Sequence, residues 1–161
     1  MKLKYVENDN GKLFSFHRHD FKEDTDSSGT YISIDGGFDY TRWSGPTLKE
    51  DNLEDVFPDV RQQFIWGQRY DKDNNLLPET IFRKLEDLDS DHVLGIIKYW
   101  LTKVPPERVN YKYLAIFAYE VIFRINNNDP VYKEMNLEKE DFETLYLAIE
   151  KIIEENEDKS I

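Results

Sequence analysis

Near Asp89 the apolar residues switch from alternation to a helical spacing, and this change excludes an all-helical or all-strand architecture. Upstream, Lys2 to Glu7 and Lys12 to His19 flank Asn8-Asp9-Asn10-Gly11, a hairpin turn of residues that tolerate positive φ. In the second of these runs Phe14 and Phe16 take one face of a strand, and Leu13, Ser15, His17 and His19 the other. Thr30 to Asp35 repeats the pattern, with Ile32 and Ile34 opposed to Tyr31, Ser33 and Asp35. Gly36-Gly37 interrupts it as a bulge or tight turn would, and Phe38 to Trp43 resumes alternation. Glu23 to Gly29 is polar enough for a solvated hairpin loop. The acidic stretch containing Pro58 reads as a short helix and a loop. Gln63 to Leu85 reads as a second hairpin around Asp71-Lys72-Asp73-Asn74-Asn75, with helix as the competing assignment.

Downstream, Asp89 or Ser90 can cap a helix carrying Val93, Leu94, Ile96, Ile97, Trp100 and Leu101. A second helix is predicted from near Pro106 to Asn126-Asn127-Asn128, so apolar that it must be largely buried. A third begins near Leu137, with Phe142, Leu145, Tyr146, Ile149, Ile152 and Ile153 opposed to Glu143, Glu150, Glu154 and Glu157; its last few residues should fray. The expected fold is therefore α+β, with N-terminal antiparallel β-hairpins packed on a C-terminal three-helix layer. One domain of 161 residues is expected, comprising a β region (1–46), a connector and second hairpin (47–88) and a helical region (89–161).

Charge and cysteine content narrow the chemistry. The absence of cysteine removes disulfides, thiol nucleophiles and thiolate metal sites. A net charge of −12 repels phosphate backbones, so direct nucleic-acid binding is not expected. The same charge suits either a carboxylate surface that occupies a basic groove or simple solubility. There is no apolar run of the roughly 20 residues that span a bilayer, and a soluble, intracellular protein without membrane partners is expected.

The residues best suited to chemistry cluster in Phe16-His17-Arg18-His19-Asp20-Phe21 and Ile34-Asp35-Gly36-Gly37-Phe38-Asp39-Tyr40-Thr41-Arg42. On a strand His17 and His19 would share a face with Cα atoms about 6–7 Å apart, and with Asp35 could ligate a divalent metal. Alternatively, both rings bond carboxylates or carbonyls and orient the hairpin, with no cofactor. Asp35-Gly36-Gly37 could form a backbone nest for an anion, assisted by Arg42, or simply an Asx-type turn. A ligand-binding set of His17, His19, Asp20, Asp35, Gly36, Gly37, Asp39 and Arg42 would suit a small nucleotide. As an enzyme, the chain would use His17 or His19 as base with Asp35 in a metal-dependent phosphoester cleavage. No signature spacing of a known hydrolase supports this, and the reading leans away from catalysis. Asp71 to Asn75 opens like a calcium loop, but Leu76 stands where glycine is needed and Phe82 where the bidentate glutamate is needed.

The His17-Arg18-His19-Asp20-Phe21 block paired with Ile34-Asp35-Gly36-Gly37-Phe38-Asp39-Tyr40-Thr41-Arg42 resembles a family of small tailed-bacteriophage proteins. Phe64-Ile65-Trp66-Gly67 followed by Leu85 to His92 extends the resemblance over roughly the first two thirds of the chain. Members often carry Cys-x-Cys in the first hairpin loop, where this chain has Asp24-Thr25-Asp26-Ser27-Ser28. The resemblance implies a phage or prophage origin, residence in the cytoplasm of the bacterial host and an accessory role. The leading expectation is thus an anti-defence or host-takeover factor that binds a host protein, with Glu150, Glu154 and Glu155 on the acidic helix facing a basic partner. The alternatives are the nucleotide-binding or metal-dependent site above, and a virion assembly component. Homo-oligomerisation is compatible with each.

Overall fold

The computed structural model describes residues 1–71 and 73–159. Lys72 of the expected turn, and Ser160 and Ile161 of the expected frayed end, lie outside the described residues. The fold is α+β, with antiparallel strands in the N-terminal half and helices in the C-terminal half. The chain divides into two compact units, Lys2–Glu86 and Asp87–Ile161 with Met1.

The first unit holds two small sheets and a hairpin. In one sheet β1 (Lys2–Asn8) lies between β2 (Gly11–Leu13) and β6 (Lys49–Asn52), antiparallel to both. In the other, β4 (Tyr31–Asp35) lies between β3 (Lys22–Thr25) and β5 (Arg42–Ser44). Val6 from the first sheet packs with Ile32 and Ile34 from the second, and Leu13 and Leu48 close this cluster. Polar ties join the turns: Asn8 and Asn10 both donate to Asp24 Oδ2 at 2.9 Å, and the Asp9 N–H donates to Asp26 Oδ2 at 2.9 Å. Asp26 Oδ1 also accepts from the Ser28 and Thr30 N–H groups, so Asp24 and Asp26 staple these turns together.

Helix α1 (Leu53–Gln63) follows β6 and buries Leu53, Val56, Phe57 and Val60 at helical spacing. Pro58 lies inside it, where a helix followed by a loop is expected from the sequence. Pro58 is exposed, and burial of four large apolar side chains at about 1.5–3 kcal/mol each outweighs the roughly 3 kcal/mol that an interior proline costs. Strands β7 (Ile65–Tyr70) and β8 (Leu76–Lys84) then form the second hairpin, which settles the strand-or-helix question at Gln63 to Leu85.

Three further strand assignments need correction. The strand expected over Lys12 to His19 stops at Leu13, because the Phe16 N–H turns to the Asp20 carboxylate (3.1 Å) and the Asp20 N–H to the His17 carbonyl (3.0 Å). The run from Phe38 to Trp43 contributes only Arg42 and Trp43 to β5, since residues 36–40 form a turn. The loop expected over Glu23 to Gly29 narrows to residues 26–29, as Lys22–Thr25 pair with β4. Strand β6 has no counterpart in the sequence reading, because all four of its residues are exposed and none is apolar.

The second unit contains α2 (Ser90–Thr102), α3 (Tyr111–Asn126), α4 (Pro130–Glu134) and α5 (Lys139–Lys159). Helix α3 is the buried one, from Leu114 to Arg124, and packs against α2 and α5. It begins at Tyr111 and not near Pro106, which heads a single 3-10 turn; Val109 is extended, and Asn110 caps the helix by accepting the Tyr113 N–H at 3.1 Å. The short α4 starts at Asp129-Pro130, with the aspartate accepting the Val131 and Tyr132 N–H groups. Among the described residues no helix is long and apolar enough to cross a membrane.

Candidate functional site

The two motif blocks do meet, but through their backbones. Gly36 and Gly37 have φ of +92° and +66°, and both are buried. A Cβ on Gly36 would lie 1.7 Å from the Tyr40 carbonyl oxygen, and one on Gly37 would lie 2.8 Å from the His17 carbonyl carbon. Only glycine permits this approach. The Gly37 N–H donates to Ser15 Oγ (2.9 Å), whose own hydroxyl donates to the Asp20 carbonyl (2.8 Å), so the loop at 14–20 and the turn at 36–40 are locked together. Thr41 Oγ1 closes the turn on the Gly37 carbonyl at 2.8 Å.

The side chains diverge from this junction. The His17 ring packs on Phe64 with 5.4 Å between centroids, and its Nε2 lies 3.0 Å from the Ile65 carbonyl oxygen. His19 is exposed on the turn at 17–20, so the two imidazoles do not share a strand face. Asp35 is held by Arg42 in a two-point pair, Nε to Oδ1 at 3.0 Å and Nη2 to Oδ2 at 2.8 Å. Asp39 is exposed on the glycine turn. Asp20 accepts the Phe16 N–H and lies 3.6 Å from Lys22 Nζ.

Two readings of the motif are thereby corrected. No three His, Asp or Glu residues among those described stand together as metal ligands, so His17, His19 and Asp35, the alternative cation set, are not brought together as one. Nor does the double glycine present a free anion nest, because the Gly37 N–H is already given to Ser15. The bland version, with His17 bonding a carbonyl to orient the second hairpin, is what the geometry contains.

Residues that the motif reading omitted complete the junction. Lys22 Nζ sits over the Phe16 ring at 5.0 Å and reaches Gln63 Oε1 at 3.3 Å. Burial pulls its pKa below the ordinary lysine value, while Asp20 opposes that shift. Gln63 in turn accepts the Phe14 N–H at 3.1 Å and donates to the Lys12 carbonyl at 2.7 Å. The signal in the sequence is slight: a lysine and a glutamine next to aromatic residues.

What this region offers the outside is aromatic. Tyr40 is 68% exposed and Trp43 50% exposed, and the Arg42 guanidinium stands 5.6 Å from the Tyr40 ring. In the helical unit the outer residues Glu154 and Glu155 are exposed at the end of α5, whereas Glu150 is half-buried and paired with the Met1 amino group. A buried polar network lies there too: Glu120 and Arg124 approach at 3.6 Å, Arg124 donates to Ser90 Oγ at 3.1 Å, and Ser90 donates to Asp129 at 2.7 Å. Tyr132, buried with its hydroxyl on the Ser90 carbonyl, has its pKa pushed up by that burial. Comparison with protein-family models, curated proteins and solved structures found no match to this chain.

Proposed function

We propose that this chain acts by binding a protein partner and does not catalyse a reaction. The observation that carries this reading is the segment Tyr40-Thr41-Arg42-Trp43, which puts a tyrosine, an arginine and a tryptophan outward next to a rigid double-glycine turn. These are the residue types that dominate binding energy in protein interfaces, and a rigid support limits the entropy lost on docking. The groups that could do chemistry support the same reading, since His17, Asp20, Asp35 and the Gly37 N–H are engaged within the fold. The resemblance to small phage proteins supplies a setting, in which the partner is a bacterial host protein. Exposed Glu154 and Glu155 would speed encounter with a basic surface.

The test is capture from bacterial lysate on the immobilised chain, repeated with Y40A/W43A and with E154K/E155K. Expected is a retained protein that the aromatic double variant loses without a change in thermal midpoint, and that the charge-reversed variant captures more slowly at low salt. Stabilisation of the chain by nucleotides, Zn²⁺ or Mn²⁺ that H17A or D35A abolishes would overturn the reading in favour of a ligand site. Capture indifferent to Y40A/W43A would also count against it.

A further inference from the structure

We propose that Asn10-Gly11 is a self-modification site: Asn10 exchanges its side-chain amide for a carboxylate without an enzyme, and the new charge opens the clasp between the two small sheets.

The reaction needs an asparagine whose following residue leaves its backbone nitrogen unscreened, and of all the asparagines in the chain only Asn10 precedes a glycine. Asn10 is exposed in the tight turn between β1 and β2. Gly11 has φ +129°, and nothing lies within 4 Å of the point where its Cβ would stand, so no neighbour replaces the screening that glycine lacks. A turn tip also opens locally at little cost, which lets the side chain swing onto the backbone.

In the first step the Gly11 nitrogen gives its proton to water and attacks Asn10 Cγ. The Cγ–Nδ2 bond breaks, ammonia departs with a proton returned from water, and a cyclic imide closes. Water then opens the imide. Attack at Cγ leaves aspartate, and attack at the backbone carbonyl of residue 10 leaves isoaspartate, in which the chain runs through the side chain. In sum, one water enters and one ammonia leaves, with no redox change.

The consequence follows from where the lost amide points. Asn10 Nδ2 donates to Asp24 Oδ2 in the other sheet at 2.9 Å, and Asn8 Nδ2 donates to the same oxygen at 2.9 Å. Beside them the Asp9 N–H donates to Asp26 Oδ2 at 2.9 Å, and Ser28 Oγ donates to Asp9 Oδ2 at 3.0 Å. The acceptor in each of these bonds is a carboxylate, so the seam already holds Asp9, Asp24 and Asp26. A carboxylate at position 10 has no proton to donate, and it sets like charge against Asp24 where a bond had been. Isoaspartate adds a further fault, because its extra backbone carbon shifts the Asn8–Gly11 pair that closes the hairpin. The seam adjoins the apolar join of the two sheets: Val6 of β1 packs with Ile32, and Ile32 is the residue of β4 that pairs with Asp24. Modification therefore loosens the first unit where its two sheets meet, and it does so irreversibly.

The test is to hold the full chain in mildly alkaline buffer and follow the tryptic peptide from Tyr5 to Lys12 by mass, with free ammonia measured alongside. Expected is conversion of Asn10 while the remaining asparagines stay intact, a product peptide that elutes as two isomers of equal mass, and one ammonia released per conversion. G11A, which screens the nitrogen, and N10Q, whose ring would have to close one atom larger, should both keep their amide far longer. Should the strain of alanine at φ +129° prevent G11A from folding, N10Q decides. Freshly made N10D should have a lower urea midpoint than the native chain and faster hydrogen exchange at the Asp9 amide. Its cost should be smaller in a D24N background, where no charge faces it. The proposal falls if Asn10 converts no faster than the other asparagines, or if folded G11A or N10Q loses its amide at the native rate. It falls equally if N10D keeps the native midpoint and Asp9 protection, or loses as much stability with D24N as without it.

Discussion

Gly37 approaches His17 so closely that a Cβ on the glycine would lie 2.8 Å from the His17 carbonyl carbon and 3.0 Å from its oxygen. The relationship joins the two motif blocks and explains why their side chains point elsewhere. Backbone-to-backbone contact leaves the junction no interior to line, so His17 leans onto the second hairpin while Asp35 turns to Arg42.

Replacing Gly37 by alanine should therefore destabilise the first unit. The new methyl meets backbone, which cannot swing aside, and a non-glycine residue at φ +66° adds strain of order 1–3 kcal/mol. G36A should cost more, since its methyl would have to displace the Tyr40 carbonyl. Gly95 on α2 is the control: nothing lies within 4 Å of its would-be Cβ, and G95A should stabilise by about 0.5–1 kcal/mol. Urea unfolding of the three variants checks the order, and a neutral G37A would remove the lock.

Much of this architecture was legible and its limits have physical reasons. Ile32 and Ile34 on β4, and Tyr146, Ile149 and Ile153 on α5, are buried where alternation and helical spacing put them. Periodicity failed at Lys12 to His19 because one carboxylate, that of Asp20, takes the Phe16 N–H out of any ladder, and Ser15 is buried alongside Phe14 and Phe16. It missed β6 because Lys49 to Asn52 are all exposed and none is apolar, which leaves no alternation to read. Helix α4 was not anticipated, although its start carries a capping aspartate before a first-position proline, Asp129-Pro130. The candidate site misled for a related reason: residue types that suit catalysis also suit holding a tight loop, and sequence does not say which partner each polar group finds.

The pair of Asp35 and Arg42 should contribute little to stability despite its two-point geometry. Arg42 is 65% exposed, so water screens the charges and ordering the long side chain offsets the gain. R42A and D35A should each lower stability by less than about 1 kcal/mol, with a coupling of the same order in a double-mutant cycle. A coupling several times larger would mean that the pair organises the glycine turn.

Glu120 and Arg124 should behave in the opposite way. Glu120 is fully buried and Arg124 nearly so, and the arginine bonds onward to Ser90. R124M takes away the guanidinium that faces this buried carboxylate, at a cost of about 3–5 kcal/mol. E120M/R124M should cost less than R124M alone, because the second change removes the charge that lost its counterion. Equal losses in the single and double variants would show that packing, and not charge, sets the penalty.

Tyr5 gives the first unit an alkaline limit. Its ring is buried against Phe14 and its hydroxyl donates to Asp51; burial first, then that bond and the charges of Asp51, Glu7 and Asp59, push its pKa from 10.0 up to about 12. In the unfolded chain the phenol ionises near pH 10, so between pH 10 and 12 the folded state binds more protons and stability falls as pH rises. Lys22 works the other way, because its lowered pKa makes stability rise as pH climbs toward the ordinary lysine value. Y5F separates the two. It removes the ionisation and one hydrogen bond, so it should be less stable than the native chain at pH 8 by about 0.5–1.5 kcal/mol. That deficit should shrink steadily from pH 10 to 12, as the native chain loses what neutral Tyr5 contributes. Urea midpoints at pH 8, 10 and 11.5 would read it, and a deficit that stays constant across them would place the Tyr5 hydroxyl outside the titration.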